Sequence, residues 1–257
     1  MMWVHAEPYE VDFSMDFSRL SRVRLAHMHA AAAEVLAVLD EIASRGGHVV
    51  TELIGTADFI VGEHYPSDDF YDPGSGAGFY YHAHHDDPRA YPDGLRHLPE
   101  HGHFHLMMNR LAVPAGVRPL KRPGRPIKNW GQCHIIALVM DRTGLPRRLF
   151  TLNQWPSQEW LYPAPVVTDL LDRFVIADPG LRTPANRWVF AMAALFYPQI
   201  SSLLYERDRA LAAWPVARGA ASVYQDRSLE IPSMIDIDLD RQIAAIDRAW
   251  HHAEPCA

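Results

Sequence analysis

The chain has little cysteine, no long apolar run and no surplus of positive charge, and each shortage removes a class of protein. Two cysteines, Cys133 inside an apolar run and Cys256 near the end, cannot build a disulfide framework or a thiolate metal cluster. A reducing cytoplasmic setting fits that usage best. The longest uninterrupted apolar runs, 135–140 and 189–196, fall far short of the roughly 20 residues that cross a bilayer. The first twelve residues carry Glu7, Glu10 and Asp12 and lack a basic start followed by an apolar stretch, so they do not read as a secretory signal. With 24 Lys+Arg against 31 Asp+Glu the formal charge is −7, and no global field draws nucleic acid or an anionic membrane.

Several catalytic signatures are missing as well. No His-Glu-x-x-His, Gly-x-Gly-x-x-Gly, phosphate-binding loop or Gly-x-Ser-x-Gly occurs, which disfavours the hydrolase and nucleotide-binding superfamilies that carry them.

What the chain does have is histidine. Of 15 histidines, eight lie within positions 64–105, a sixth of the chain. The run 79–84 (Phe-Tyr-Tyr-His-Ala-His) reads as a short aromatic strand, and 101–108 (His-Gly-His-Phe-His-Leu-Met-Met) as a second. In a strand, residues i and i+2 project from one face about 7 Å apart, so His82 pairs with His84 and His103 with His105. Phe104, Leu106 and Met108 occupy the other face of the second strand, leaving His101, His103 and His105 together. One face is built for a core and one for imidazoles.

Residues 131–140 and 145–155 form the best hairpin in the sequence, joined by Asp141-Arg142-Thr143-Gly144 with Gly144 suited to a left-handed position. Pairing Met140 with Leu145 places His134 opposite Thr151 and Gln132 opposite Asn153, and offers His134 as a further ligand. Around these strands, 18–45 is an amphipathic helix, 48–54 a short strand and 55–78 a long loop. The stretches 166–177 and 184–214 are helical, the latter kinked at Pro198, with a strand at 229–237 and a helix at 238–251 closing the chain. No repeat or linker divides it. The expectation is a single α+β domain over 1–257: a central antiparallel β-sheet carrying the histidine cluster, packed by N- and C-terminal helices.

Histidines from neighbouring strands can converge on one ion and leave coordination positions open. The candidate ligands are His82, His84, His103, His105 and His134, with Glu100 or Tyr81 handling protons and Asn153 holding a ligand or substrate. Neutral imidazoles suit Fe, Cu and Zn alike, and an aromatic, Met-lined setting favours iron or copper acting with oxygen on a small organic substrate. The alternatives are a zinc hydrolase using metal-bound hydroxide, a metal-binding or sensing protein without turnover, and a metal-free protein whose His and Tyr residues line a ligand cavity.

The His103-Phe104-His105 pair resembles the first cupin motif, but that resemblance stops there: positions 106–110 read Leu-Met-Met-Asn-Arg, without the cupin glutamate. The combination of Tyr80-Tyr81-His82-Ala83-His84, Glu100-His101-Gly102-His103-Phe104-His105 and Thr151-Leu152-Asn153-Gln154-Trp155 resembles an uncharacterised bacterial domain family of unknown function, over roughly residues 20 to 250. That resemblance implies no particular activity.

Overall fold

A computed structural model describes residues 9–10, 15, 17–56, 58–84, 100–124 and 131–253. Residues 85–99, between the two histidine strands, lie outside the described residues.

In chain order the elements are β1 (Tyr9–Glu10), α1 (Arg22–Ala43), α2 (Val49–Ile54), β2 (Tyr65–Tyr71), β3 (Ala77–His82), β4 (Glu100–Asn109), β5 (Gln132–Asp141), β6 (Pro146–Phe150), α3 (Gln154–Ser157), α4 (Ala164–Leu171), α5 (Pro184–Leu195), α6 (Tyr197–Ala213), β7 (Ser233–Asp236) and α7 (Leu239–His252). The strands form one sheet in the order β1-β7-β6-β5-β4-β3-β2. Every neighbouring pair is antiparallel except β1 with β7. The expected α+β sheet with its histidine cluster is therefore present.

The first helix forms where periodicity and capping agree. Ser21 accepts a bond from Arg24 N–H, and Leu25, Met28, Ala31, Ala32, Val35, Val38 and Ile42 are its buried stripe. The 184–214 stretch breaks where proline said it would: α5 and α6 meet at Phe196, just before Pro198, with a bend of 68°. No single helix among the described residues is long and apolar enough to cross a membrane.

The long helices share one face of the sheet. Trp188, Leu203 and Ile246 from α5, α6 and α7 join Phe79, Tyr81, Phe104, Leu106, Ile136, Leu138 and Met140 in one continuous core. On the opposite face a small separate apolar cluster, Ala137, Val139, Phe150 and Leu152 with Ile231 and Met234 against it, lies beside the imidazoles. The two sides of the strands thus separate the main core from the imidazoles.

Three expectations need correcting. Residues 49–54 are a helix, not a strand. Val49 and Val50 are both buried, Thr51 Oγ1 accepts the His48 N–H at 2.8 Å, and Gly55 stops the turn at φ 65°. The 55–78 loop contains β2, whose Pro66 and Asp68-Asp69 argue against a strand but are tolerated because it lies at the sheet edge. Its pairing slips between Tyr65 and Phe70, with Asp69 at φ 55°, so no clean alternation shows.

The third correction is the hairpin register. Its turn is as expected, with Gly144 at φ 80° and so close to His48 that a Cβ there would sit 2.5 Å from the ring Cγ. Met140, however, pairs with Pro146 rather than Leu145, and β6 ends at Phe150. Thr151 consequently bonds to Ser233, backbone N–H to carbonyl at 2.9 Å and hydroxyl to hydroxyl at 2.6 Å, instead of facing His134.

Candidate metal centre

Strand pairing brings the histidines together. His82 lies directly across from His103, and Tyr80 across from His105. His103 and His105 are almost wholly buried, at 6% and 4% exposure. His82 Nε2 lies 3.1 Å from His103 Nε2 and 3.1 Å from His105 Nε2. His84, more exposed, continues the β3 row; its ligating nitrogen and those of His82 and His103 all lie within 4.8 Å of one another.

Two bulges decide which histidines take part. Between the Glu100–Asp141 and Gly102–Met140 pairs, His101 is an extra residue on β4. It leaves the row of His103 and His105 and bonds Tyr81 Oη through Nδ1 at 2.6 Å, on the core side. The shared face expected for all three does not hold, because the bulge resets the alternation. Gly102 makes this possible: a Cβ there would lie 2.5 Å from the His82 carbonyl oxygen. On β5, Ile135 is extra between the Leu106–Ile136 and Met107–His134 pairs. Ile135 and Ile136 both enter the core, and His134 is turned toward the histidines.

His134 arrives behind the cluster. Its Nε2 is 2.9 Å from His105 Nδ1, the ring nitrogen opposite the one that faces His82. Glu100 plays the matching part on His103, accepting from Nδ1 at 2.8 Å. These two residues therefore orient imidazoles: His134 is placed as a support rather than a ligand, and Glu100 is engaged with His103.

The remaining candidates lie elsewhere. Tyr81 is fully buried on the helix side and bonded to His101, and burial, reinforced by Glu100, raises its phenol above the usual range. The tyrosine on the site face is Tyr80, whose parity with His82 and His84 was the available signal. Asn153 caps α3 and spends its amide on the carbonyls of Val223 and Leu229, at 2.8 and 2.9 Å. It does not line the site.

Burial is the main reason that His82, His105 and His134 stay neutral. Burial, then repulsion from His103, His84 and His64, pushes His82 down to about 2. Burial followed by Arg207 and His103 takes His134 to about 3, and burial with the neighbouring histidines lowers His105 as well. Neutral imidazole is the metal-ligating form.

The nitrogen geometry fits an ion better than hydrogen bonds alone. Each ring nitrogen offers one in-plane position, either a hydrogen or a lone pair. The Glu100 carboxylate only accepts, so His103 carries its proton on Nδ1 and presents a bare lone pair from Nε2. His82 Nε2 cannot direct one hydrogen at both His103 and His105. Two nitrogens bound cis to one ion at ordinary Zn–N lengths sit about 3.0–3.4 Å apart, and both observed separations are 3.1 Å. Iron and copper fit the same donor set.

Beside this cluster lies a cavity of about 130 Å³, lined on one side by Tyr80, His82, His84, His103 and His105 and on the other mostly by Val139, Phe150, Leu152, Ile231 and Met234, with Glu230 and Ser157 also reaching it. Arg148 reaches its edge, with Nε 2.6 Å from Asp236 Oδ1. At the β2 side, His64 stacks on Tyr80 at 3.8 Å between ring centres and bonds Asp69 at 2.8 Å. The apolar wall and the His64–Asp69 pair were not read from the sequence.

Comparisons with curated proteins and with solved structures each found no match. The family described as Domain of unknown function (DUF6969) matches residues 29–237, four fifths of the chain from within α1 to the end of β7, and the chain belongs to that family.

Proposed function

We propose that this protein is a metal-dependent enzyme with one ion held by ring nitrogens drawn from His82, His84, His103 and His105, and that it is an oxidoreductase using oxygen on a small organic molecule. The observation that carries the metal is the contact of His82 Nε2 with two other ring nitrogens at 3.1 Å, which one hydrogen cannot satisfy. Three imidazole donors leave other positions on an ion for substrate.

Oxidation is favoured over hydrolysis by what surrounds the donors. A metal-activated water is helped by a carboxylate base beside the ion; of the two carboxylates that line the cavity, Glu100 is engaged with His103, Glu230 adjoins Ile231, and the rest of that wall is mostly aliphatic and aromatic. A redox-active ion supplies electron transfer to oxygen that side chains do not provide. Tyr80, kept neutral by burial and then by Asp69 and Glu159, presents a phenol beside the imidazoles.

Elemental analysis of untagged protein tests the reading, with close to one equivalent of Fe, Cu or Zn expected. His103→Ala is expected to lose the ion while keeping its far-UV circular dichroism. No uptake after reconstitution with each of the three metals overturns the proposal, and three or more ions per chain would instead indicate storage. Oxygen consumption by the iron- or copper-loaded protein, absent from the zinc form, separates oxidation from hydrolysis.

A further inference from the structure

The cavity beside the histidines is two-sided, and the sheet accounts for why. Moving from β3 and β4 to β5, β6 and β7, the lining changes from imidazole to Val139, Phe150 and Met234, joined by Leu152 and Ile231. These apolar residues belong to a cluster separate from the main core. A second apolar patch on the chemical face is not needed to hold the helices, which pack on the opposite side. It has the composition of a ligand wall, apolar with a few polar groups at one end.

Size narrows the ligand further. The volume is about 130 Å³, slightly below the roughly 150 Å³ of an apolar protein cavity that accepts benzene. One six-membered ring or a chain of similar bulk fits inside it, and a fused bicycle does not. Among the described residues the lining holds one cation, Arg148, paired with Asp236, and two carboxylates, Glu100 and Glu230, a charge balance that does not suit a phosphate.

We infer that the substrate carries one small apolar group, no larger than a single six-membered ring, which lies against Val139, Phe150, Leu152, Ile231 and Met234 while its polar reacting end faces His82, His103 and His105. The orientation rests on the metal-centre reading; the apolar subsite does not.

The two parts are tested separately. Chelator-treated protein is titrated with benzene and with naphthalene and followed by methyl NMR. Benzene is expected to shift methyls of Val139, Leu152 and Ile231 saturably, and naphthalene to leave them in place. Ile231→Trp, a filling change at a half-buried position, is expected to weaken benzene binding at least ten-fold, and Leu152→Phe gives the same reading by a second route should the first variant not fold. Absence of benzene binding, or unchanged affinity in a folded filling variant, overturns the subsite.

For the orientation, Co(II)-loaded protein is titrated with acetate and with benzoate, read from its visible spectrum. Benzoate is expected to bind at least ten-fold more tightly, because both offer the same donor and only one offers a ring. Equal affinities overturn the orientation. Protein that takes up no Co(II) overturns the metal centre, and the benzene titration then decides the subsite alone.

Discussion

At the scale of the residue, the candidate centre depends on which nitrogen each imidazole turns inward. His103 and His105 use Nε2 toward His82 because their Nδ1 atoms are held from behind, by Glu100 at 2.8 Å and by His134 at 2.9 Å. Outer partners of this kind typically carry 10- to 100-fold in metal affinity. Glu100→Gln, which keeps the shape but removes the charge, is therefore expected to weaken metal retention by about that factor while leaving one ion bound at saturation. A metal-buffer competition measures it. Unchanged affinity would show that Glu100 does not orient His103. The histidine pairs themselves were legible in the sequence, because His82 with His84 and His103 with His105 obey the period of two. The supporting role of His134 was not, since alternation reports a face and not which ring nitrogen meets which neighbour.

At the scale of the element, extra residues decide the outcome. Without Ile135 as a bulge, strict alternation would put His134 on the face of Ile136 and Leu138, in the helix-side core. Without the His101 bulge, that histidine would have joined the row. A bulge leaves no periodic signature, so β3, β4 and the hairpin turn were readable while the exact membership of the cluster was not. The same limit hid β2, an edge strand with Pro66 and two aspartates, and it hid α2, whose β-branched Val49-Val50-Thr51 reads locally as strand. The hairpin turn makes a prediction of its own. Asp141, 3% exposed, pays a burial penalty, but bonds from Thr143, Leu145 and Arg147 outweigh it and hold the carboxyl at about 2. Its unfolded value is about 3.9. The group therefore stabilises the fold fully above about pH 4, and that contribution is lost as pH falls toward 2. Asp141→Asn is expected to lower stability at neutral pH and to flatten the stability profile between those limits. Chemical unfolding at a series of pH values checks it, and a profile parallel to the parent would refute the assignment.

At the scale of the whole molecule, the fold keeps its main core and its histidine cluster on opposite sides of one sheet. Helices α1, α4, α5, α6 and α7 contribute to a continuous core with the inner faces of the strands, while the imidazoles and the small apolar cluster occupy the other side. Removing an ion from the histidine face therefore leaves the main core intact, so the chain should remain folded without metal, unlike small domains whose fold is the metal site. Binding still stabilises by mass action, by about 2.7 kcal/mol when free metal stands at about 100 times its Kd. For a chain of this size each kcal/mol moves the thermal midpoint by about 2–4 °C, so loading is expected to raise Tm by about 5–10 °C under those conditions. Differential scanning calorimetry with and without chelator measures the shift, and far-UV circular dichroism of the stripped protein should show the helical content unchanged. His103→Ala should have the stripped protein's midpoint whether or not metal is added, because its ligand set is broken while its helix layer is untouched. A stripped protein that loses its helices would mean that the sheet depends on the ion for its own formation, and would place the histidine face among the determinants of the fold.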